Sequence, residues 1–510
     1  MSELAAPLIP TIDTDILIPA IDTEIVAEKP IGGAVLRGLV WLGGARWAAQ
    51  LFAWASTLII ARVLTPDDYG LVAMATVLTG FLEAITEMGL GAALVQSRDI
   101  SQRDVEATMG ATCLLGLAAA ALVGLSAPVW AHIQGDVRIV PLVRALSLSV
   151  FLTAAANVPY SMLHKRLAFG VVARAQFATG FVTAAVTLGG ALIMQSHWAL
   201  VIGFLAGKLT FTGMMIVSEP VRPRLPVRGS NVGKLFRFGG VFTADRILNY
   251  ARTHTDIALV GALLGTRLVG IYVMATALAR MPLEKLGSAF EPVAFPTFAR
   301  LRDDRAALRR CYLGLSLGTM AIAIPAAVGL IVTAPLLIPT LLGKQWQPVV
   351  LPLQVAAVVT PMIFHLGIAG ALLNAFGRVD LNLRITTFTS LLTIVAVFVS
   401  VRFGIVGVAA ASAIAFAIVW AYGEFLALRL MDLSAMELTA TLMPAISASV
   451  GMGVCVYAAS VFLPSAWPGV LRLVVEVAIG VVAFVVWAYL LHGSTILPQL
   501  RALKRAWRSR

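Results

Sequence analysis

Asp245, Asn249, Arg252 and Asp256 stand at i, i+4, i+7 and i+11 within an otherwise apolar run, with Arg246 and His254 beside them. That spacing puts the four on one face of an α-helix. An ionisable side chain in the middle of a membrane helix costs about 3 kcal/mol, so it faces a cavity, a polar ligand or a partner of opposite charge. Three further apolar runs carry similar groups. Arg280 and Glu284 are four apart, with Pro282 between them and Lys285 and Glu291 nearby; Arg46 and Gln50 are four apart, as are Glu83 and Glu87. Lys208 stands alone in its run. His365 shares a helical face with Gln354, eleven residues away, and a lone histidine there reads as a packing residue.

Two chemistries suit this set. The cations Arg46, Lys208, Arg246, Arg252, Arg280 and Lys285 nearly balance the acids Glu83, Glu87, Asp245, Asp256 and Glu284. Balanced charge fits ion pairs that break and re-form between two conformations. Arginine also grips a phosphate with two parallel hydrogen bonds. The plainer alternatives are a solvated stripe at the cytoplasmic end for 245–256, and structural pairing of Glu83 and Glu87 with Arg46.

The elements that would position these groups are membrane helices. Of 510 residues, 59% are hydrophobic and only 13% charged, and mean hydropathy is +0.90. Soluble domains carry about 25% charged residues. A span needs about 20 apolar residues, and runs of that length recur along the chain. They predict an all-α membrane protein of about fourteen helices, near 36–63, 69–95, 108–132, 139–162, 172–194, 196–217, 235–263, 268–297, 312–342, 346–376, 382–402, 404–430, 440–463 and 470–492. A barrel would show short alternating strands instead.

Basic residues fix the expected orientation. Clusters fall at 98–103, 165–174, 222–237, 300–310, 378–384 and 501–510, whereas the intervening loops hold isolated ones such as Arg62, Arg267, Lys344 and Arg402. Both termini are therefore expected in the cytoplasm. The net charge of +12 belongs to those loops and not to a nucleic-acid surface. Residues 1–30 carry six acids against Lys29 and a small duplication, IPTIDTDIL then IPAIDTEIV. They read as a disordered cytoplasmic tail, not a basic-headed signal peptide. Cys113, Cys311 and Cys455 are far apart, without CxxC or HExxH motifs, so no metal site or cofactor is expected.

The chain also repeats. VLTPDDYGLVAMATVL from Val63 corresponds to LLGTRLVGIYVMATAL from Leu263, with Gly70, Met74, Ala75 and Thr76 recurring as Gly270, Met274, Ala275 and Thr276. Leu42-Gly43-Gly44 similarly resembles Phe238-Gly239-Gly240. An even number of spans separates the copies, so the halves share one orientation, the plan of two-bundle transporters with a central site. The expected divisions are a tail at 1–34, a six-helix bundle at 35–217, a basic linker at 218–234, a second bundle at 235–430, two extra helices at 431–492 and a basic tail at 493–510.

TPDDYGLVAMATVLTGFLEAITEMGLGAALVQ at 65–96, SMLHKRLAFGVVARAQ at 161–176, the segment from TDIALVGALLG to AFPTFARLRDD at 255–304 and LLGKQWQPVVLPLQ at 341–354 carry a family resemblance. From about 40 to 430 the chain resembles Wzx-type, WzxC-like polysaccharide flippases of the MOP superfamily, which includes MurJ and the MATE exporters. The resemblance implies translocation of undecaprenyl-pyrophosphate-linked oligosaccharide across the bacterial inner membrane for exopolysaccharide, capsule or O-antigen synthesis, by alternating access around a cationic cavity. It implies Arg46, together with Arg252 or Arg280, as phosphate or acidic-sugar ligands. Membrane lipids and polysaccharide polymerase or export proteins are the implied partners, and nucleic acid is not among them. The cavity acids depart from the pattern and suit coupling to a proton or sodium ion. A MATE-like cation-coupled drug exporter is the alternative. A polymerase, ligase or glycosyltransferase would need a large loop or domain; Asp303 and Asp304 sit in too short a turn.

Overall fold

The computed structural model describes residues 52–86, 94, 101–224, 246–247, 250–251 and 253–508, with the side chains of 282–293, 379 and 492–508 excepted. The calls on Arg46, Glu87, Asp245, Asn249 and Arg252, the N-terminal tail and most of the 218–234 linker lie outside these residues, as does the side chain of Glu284.

Helices follow the apolar runs. They are α1 (Phe52–Val63), α2 (Pro66–Thr86), α3 (Gln102–Gln134), α4 (Ile139–Lys165), α5 (Phe169–Met194), α6 (Trp198–Ser218), α7 (Thr253–Leu264), α8 (Thr266–Arg300), α9 (Arg305–Leu341), α10 (Val350–Ala375), α11 (Val379–Ser400), α12 (Gly404–Met431), α13 (Ala435–Phe462) and α14 (Gly469–Arg508). Ten segments are long and apolar enough to cross a membrane among the described residues, fewer than the fourteen spans expected. The difference has local causes. Residues 380–431 run on as one apolar segment through a 3-10 turn at Val401–Phe403. Charges at Arg280, Glu284, Lys285 and Glu291 dilute α8. The described parts of α1 and α7 are short.

Helix ends obey local chemistry. Pro66 opens α2, where a missing N–H costs nothing. The Thr65 hydroxyl accepts from the Asp68 N–H (3.3 Å), and the Asp68 carboxylate accepts from the Thr65 N–H (2.9 Å). This reciprocal capping box recurs at Ser101–Asp104 and Ser434–Glu437.

The molecule is apolar outside. Leu125 on α3 is 79% exposed, and Leu117, Leu122, Val474, Val481 and Val485 also face outward. Such surface is at equilibrium only in lipid, so the chain is a multi-pass membrane protein. Packing in the two halves is parallel: α2 on α4, α3 on α4, α4 on α6 and α5 on α6 correspond to α8 on α10, α9 on α10, α10 on α12 and α11 on α12. The main bridge between halves is α2 against α8, and α13 with α14 docks on α9.

Candidate functional site

The α2–α8 bridge places the repeated sequences face to face. A Cβ built on Gly70 would overlap the Thr266 carbonyl, and one on Gly270 would overlap the Pro66 carbonyl. Only glycine permits so close a backbone approach. From this crossing α2 runs on to Glu83 and α8 to Arg280. Those positions are ten to thirteen residues away, hence about 15–20 Å along the helices at 1.5 Å per residue.

On α2 the Glu83 carboxylate accepts from two side chains, one at each oxygen. Lys208 of α6 donates to Oε2 (2.8 Å) and also to Thr153 Oγ1 (2.9 Å), and Ser149 of α4 donates to Oε1 (2.6 Å). Lys208 is therefore not solitary, as its sequence context suggested, and its side chain and that of Glu83 keep 26% and 16% of their exposure. An ion pair that keeps some exposure is cheaper to break than a fully buried one.

On α8 Arg280 lines a small pocket between α8, α10 and α12 of about 40 Å³, together with Thr276, Thr360, Ile363, Ser412 and Phe416. Asp256 of α7 accepts from the Tyr272 hydroxyl (2.7 Å) and from the Ile257 N–H (2.8 Å). The pocket adjoins a larger one of about 420 Å³, which shares Ile363 and Phe416 and carries Asn374, Asn382, Thr386 and Thr389. The two form a crevice with a cation at one end and amides and hydroxyls at the other. Such a lining suits phosphate at the guanidinium and sugar hydroxyls beyond it. Arg246 is exposed.

The end of the bundles beside the Gly70–Gly270 crossing is closed by side chains. Arg62 Nε donates to the Leu341 carbonyl (2.8 Å), and Nη2 to that of Thr340. In return Gln345 Nε2 donates to the Ala61 and Leu64 carbonyls (3.1 and 3.0 Å), and Trp346 Nε1 to Ala61 (2.6 Å). The Trp346 ring meets Tyr69 edge-on at 5.3 Å. Arg138 bridges Asp67 and Asp136 (2.7 Å each), and Asp136 accepts from Thr266 (2.9 Å). Burial raises the affinity of the Asp136 carboxyl for its proton, but the Arg138 and Thr266 hydrogen bonds outweigh it and hold the group below the usual carboxylate range.

Sequence reasoning passed over Arg62, Arg138, Gln345 and Trp346 as ordinary loop residues. Their signal was already present: TPDDYG and LLGKQWQP, two of the segments that carry the family resemblance, meet here. It also passed over Glu424, which joins His365 inside the second bundle (2.8 Å). Gln354, on the same helix, donates to the Ile331 carbonyl (2.8 Å).

Known proteins with related sequences and folds are transport and biosynthesis components. The lipopolysaccharide biosynthesis protein WzxC of Escherichia coli (strain K12) is 24% identical over 70% of this chain and 74% of its own. The teichuronic acid biosynthesis protein TuaB of Bacillus subtilis (strain 168) is 24% identical over 72% and 77%. The succinoglycan biosynthesis transport protein ExoT of Rhizobium meliloti (strain 1021) is 27% identical over 56% and 58%. Among solved structures, the lipid II flippase MurJ in an inward closed conformation superposes with a TM-score of 0.75 at 15% identity, covering 90% of this chain and 100% of that one. An inward-facing MATE transporter of the MOP superfamily gives 0.58 at 15% identity, covering 76% and 96%. These two show the fold alone. The profile of the family described as "Polysaccharide biosynthesis protein" matches residues 59–351, more than half of the chain, and the protein belongs to that family of Wzx-type membrane proteins.

Proposed function

We propose that the protein is a flippase that carries undecaprenyl-pyrophosphate-linked oligosaccharide from the cytoplasmic to the periplasmic leaflet of the inner membrane by alternating access. The observation that carries this reading is the pairing of a closed bundle end with charged groups further along the same two helices. Gly70 and Gly270 bring α2 and α8 into backbone contact, while Lys208–Glu83 and Arg280 lie beyond that contact. Lys and Arg counts assign the closed end to the periplasm and both termini to the cytoplasm. The conformation is then closed outward. Arg280 receives a pyrophosphate oxygen in the cationic cavity, with Arg46 and Arg252 as further ligands. Asn374, Asn382 and Thr386 offer hydrogen bonds to sugar hydroxyls.

Opening the periplasmic face requires the Arg62, Gln345 and Trp346 contacts to part and re-form elsewhere. Each is a hydrogen bond of modest net worth, about 1 kcal/mol, so substrate with a few kcal/mol of preference for the open form shifts the population. The test is a deletion strain analysed for secreted polymer and lipid-linked intermediates. Loss of polymer, with undecaprenyl-linked units accumulating in spheroplasts and shielded from external enzymes, supports the flippase. Normal polymer with heightened sensitivity to cationic drugs replaces it with a MATE-like exporter.

A further inference from the structure

The last helix is longer than a membrane span needs. α14 runs for 40 residues, Gly469–Arg508, which is about 60 Å at 1.5 Å per residue against about 30 Å of hydrocarbon. Its apolar part is Gly469–Leu491. Residues 492–508 continue beyond it as helix, for about 25 Å. Because the two parts are one helix, the second begins at the headgroups of the leaflet that the span leaves.

The sequence of this extension, HGSTILPQLRALKRAWR, is divided by side. At about 100° per residue, Ile496, Leu500, Leu503 and Trp507 fall within about 60° of arc. Ala502 and Ala506 continue the apolar arc on one side. On the other side Arg501, Lys504, Arg505 and Arg508 share about 100° of arc, with Leu497 among them. Positions 477–510 hold no Asp or Glu, so nothing within the segment offsets these charges.

The pattern changes where the span ends. In Gly469–Leu491 the outward residues are apolar, as Val474, Val481 and Val485 show. The extension is two-sided and needs surroundings with two sides. Water leaves its apolar arc exposed, and hydrocarbon strands its four cations. The boundary between acyl chains and headgroups serves both arcs, and tryptophan is at home at that depth. Pro498 has no N–H to give the Ser494 carbonyl, so the helix bends most easily just beyond the span. Four basic residues close to a membrane exit match a surface of anionic phosphates.

We propose that residues 496–508 of α14 form an interfacial anchor that lies along the bilayer surface and binds anionic phospholipid headgroups. The apolar arc supplies burial at the acyl boundary, and the basic arc supplies attraction to the phosphates. The anchor would hold the appended α13–α14 pair at a fixed depth whatever the cargo.

The experiment places a nitroxide on Leu503→Cys or on Arg505→Cys in the full-length protein, with Cys113, Cys311 and Cys455 replaced by serine. The two positions have nearly the same height on an upright helix but lie about 160° apart around it. Access to a water-soluble nickel chelate, compared with access to oxygen, reads the depth of each label in nanodiscs. In an equal mixture of phosphatidylcholine and phosphatidylglycerol, the label at 503 should be several-fold better protected from nickel than the label at 505. That difference should shrink in pure phosphatidylcholine. It should shrink equally in the mixture when Arg501→Gln, Lys504→Gln and Arg508→Gln are combined. Equal nickel access at both positions in the mixture overturns the proposal, because the helix then stands in water. Protection at 503 that ignores both lipid charge and the glutamine changes removes the headgroups from the interaction. Protection seen in native membranes but not in nanodiscs replaces lipid with a protein partner. The readout needs no transport, so it stands or falls separately from the flippase reading.

Discussion

Gly70 and Gly270, two hundred residues apart and equivalent in the sequence repeat, lie against each other across the middle of the molecule. A Cβ on Gly70 would come within 3.1 Å of the Gly270 nitrogen, and one on Gly270 within 3.0 Å of the Gly70 nitrogen. The contact is reciprocal, as a two-fold relation between halves demands. It brings α2 and α8 together backbone to backbone, which only glycine permits.

Gly70→Val and Gly270→Val should each push the helices apart, at a cost of about 1–3 kcal/mol from overpacking. Both should reduce polymer export at normal protein level. Because the two share one contact, the double variant should be little worse than either single variant. Simple additivity of the two losses, read from thermal unfolding in detergent, rules out the shared contact.

Arg62→Ala combined with Gln345→Ala should loosen the closed end without touching the crevice. Val260, fully buried beside this end, reports on it. In a background with Cys113, Cys311 and Cys455 replaced by serine, a cysteine introduced by Val260→Cys should react slowly with a membrane-impermeant maleimide. The latch changes should speed that reaction several-fold. An unchanged rate removes Arg62 and Gln345 from the closure.

The Asp136–Arg138 pair sets a pH expectation. The folded-state pKa of Asp136 is depressed. Its contribution to stability is therefore present above the unfolded value of about 3.8 and is lost as pH falls through the lower folded value. The penalty of Asp136→Asn should be constant from about pH 8 to pH 5 and shrink only in strong acid. Arg138 is half exposed, which limits that penalty to about 1 kcal/mol. A penalty that vanishes between pH 7 and 5 contradicts the assignment.

Lys208→Met should destabilise the first bundle by about 2 kcal/mol, since it leaves the Glu83 carboxylate half-buried without its cation. Adding Glu83→Gln should recover much of the loss. If Glu83→Gln changes the melting temperature equally in the Lys208→Met background and in the wild type, the pair contributes no net interaction.

Arg280→Ala should abolish export while leaving the protein level normal, and Arg280→Lys should restore it only in part, because an ammonium lacks the planar fork. Full export in both variants takes Arg280 out of substrate binding.

Much of the architecture was legible in the residues. Apolar runs separated helices from turns because a backbone in lipid has few other ways to satisfy its hydrogen bonds. The Met-Ala-Thr repeat announced two like halves, and their parallel packing follows from like sequences burying like faces. Spacing along one helix identified Glu83, Arg280 and Asp256 as groups in need of partners.

Which partners they take, only the tertiary structure decided. Glu83 meets Lys208 from 125 residues away, and His365 meets Glu424 across the whole of the intervening α11. The TPDDYG and LLGKQWQP segments converge because α1 and α9 end at the same level. Periodicity within a helix states which side chains share a face, but the rotation and depth of one helix against another come from packing summed over the whole bundle. That sum is a property of three-dimensional contact, which no single stretch of sequence contains.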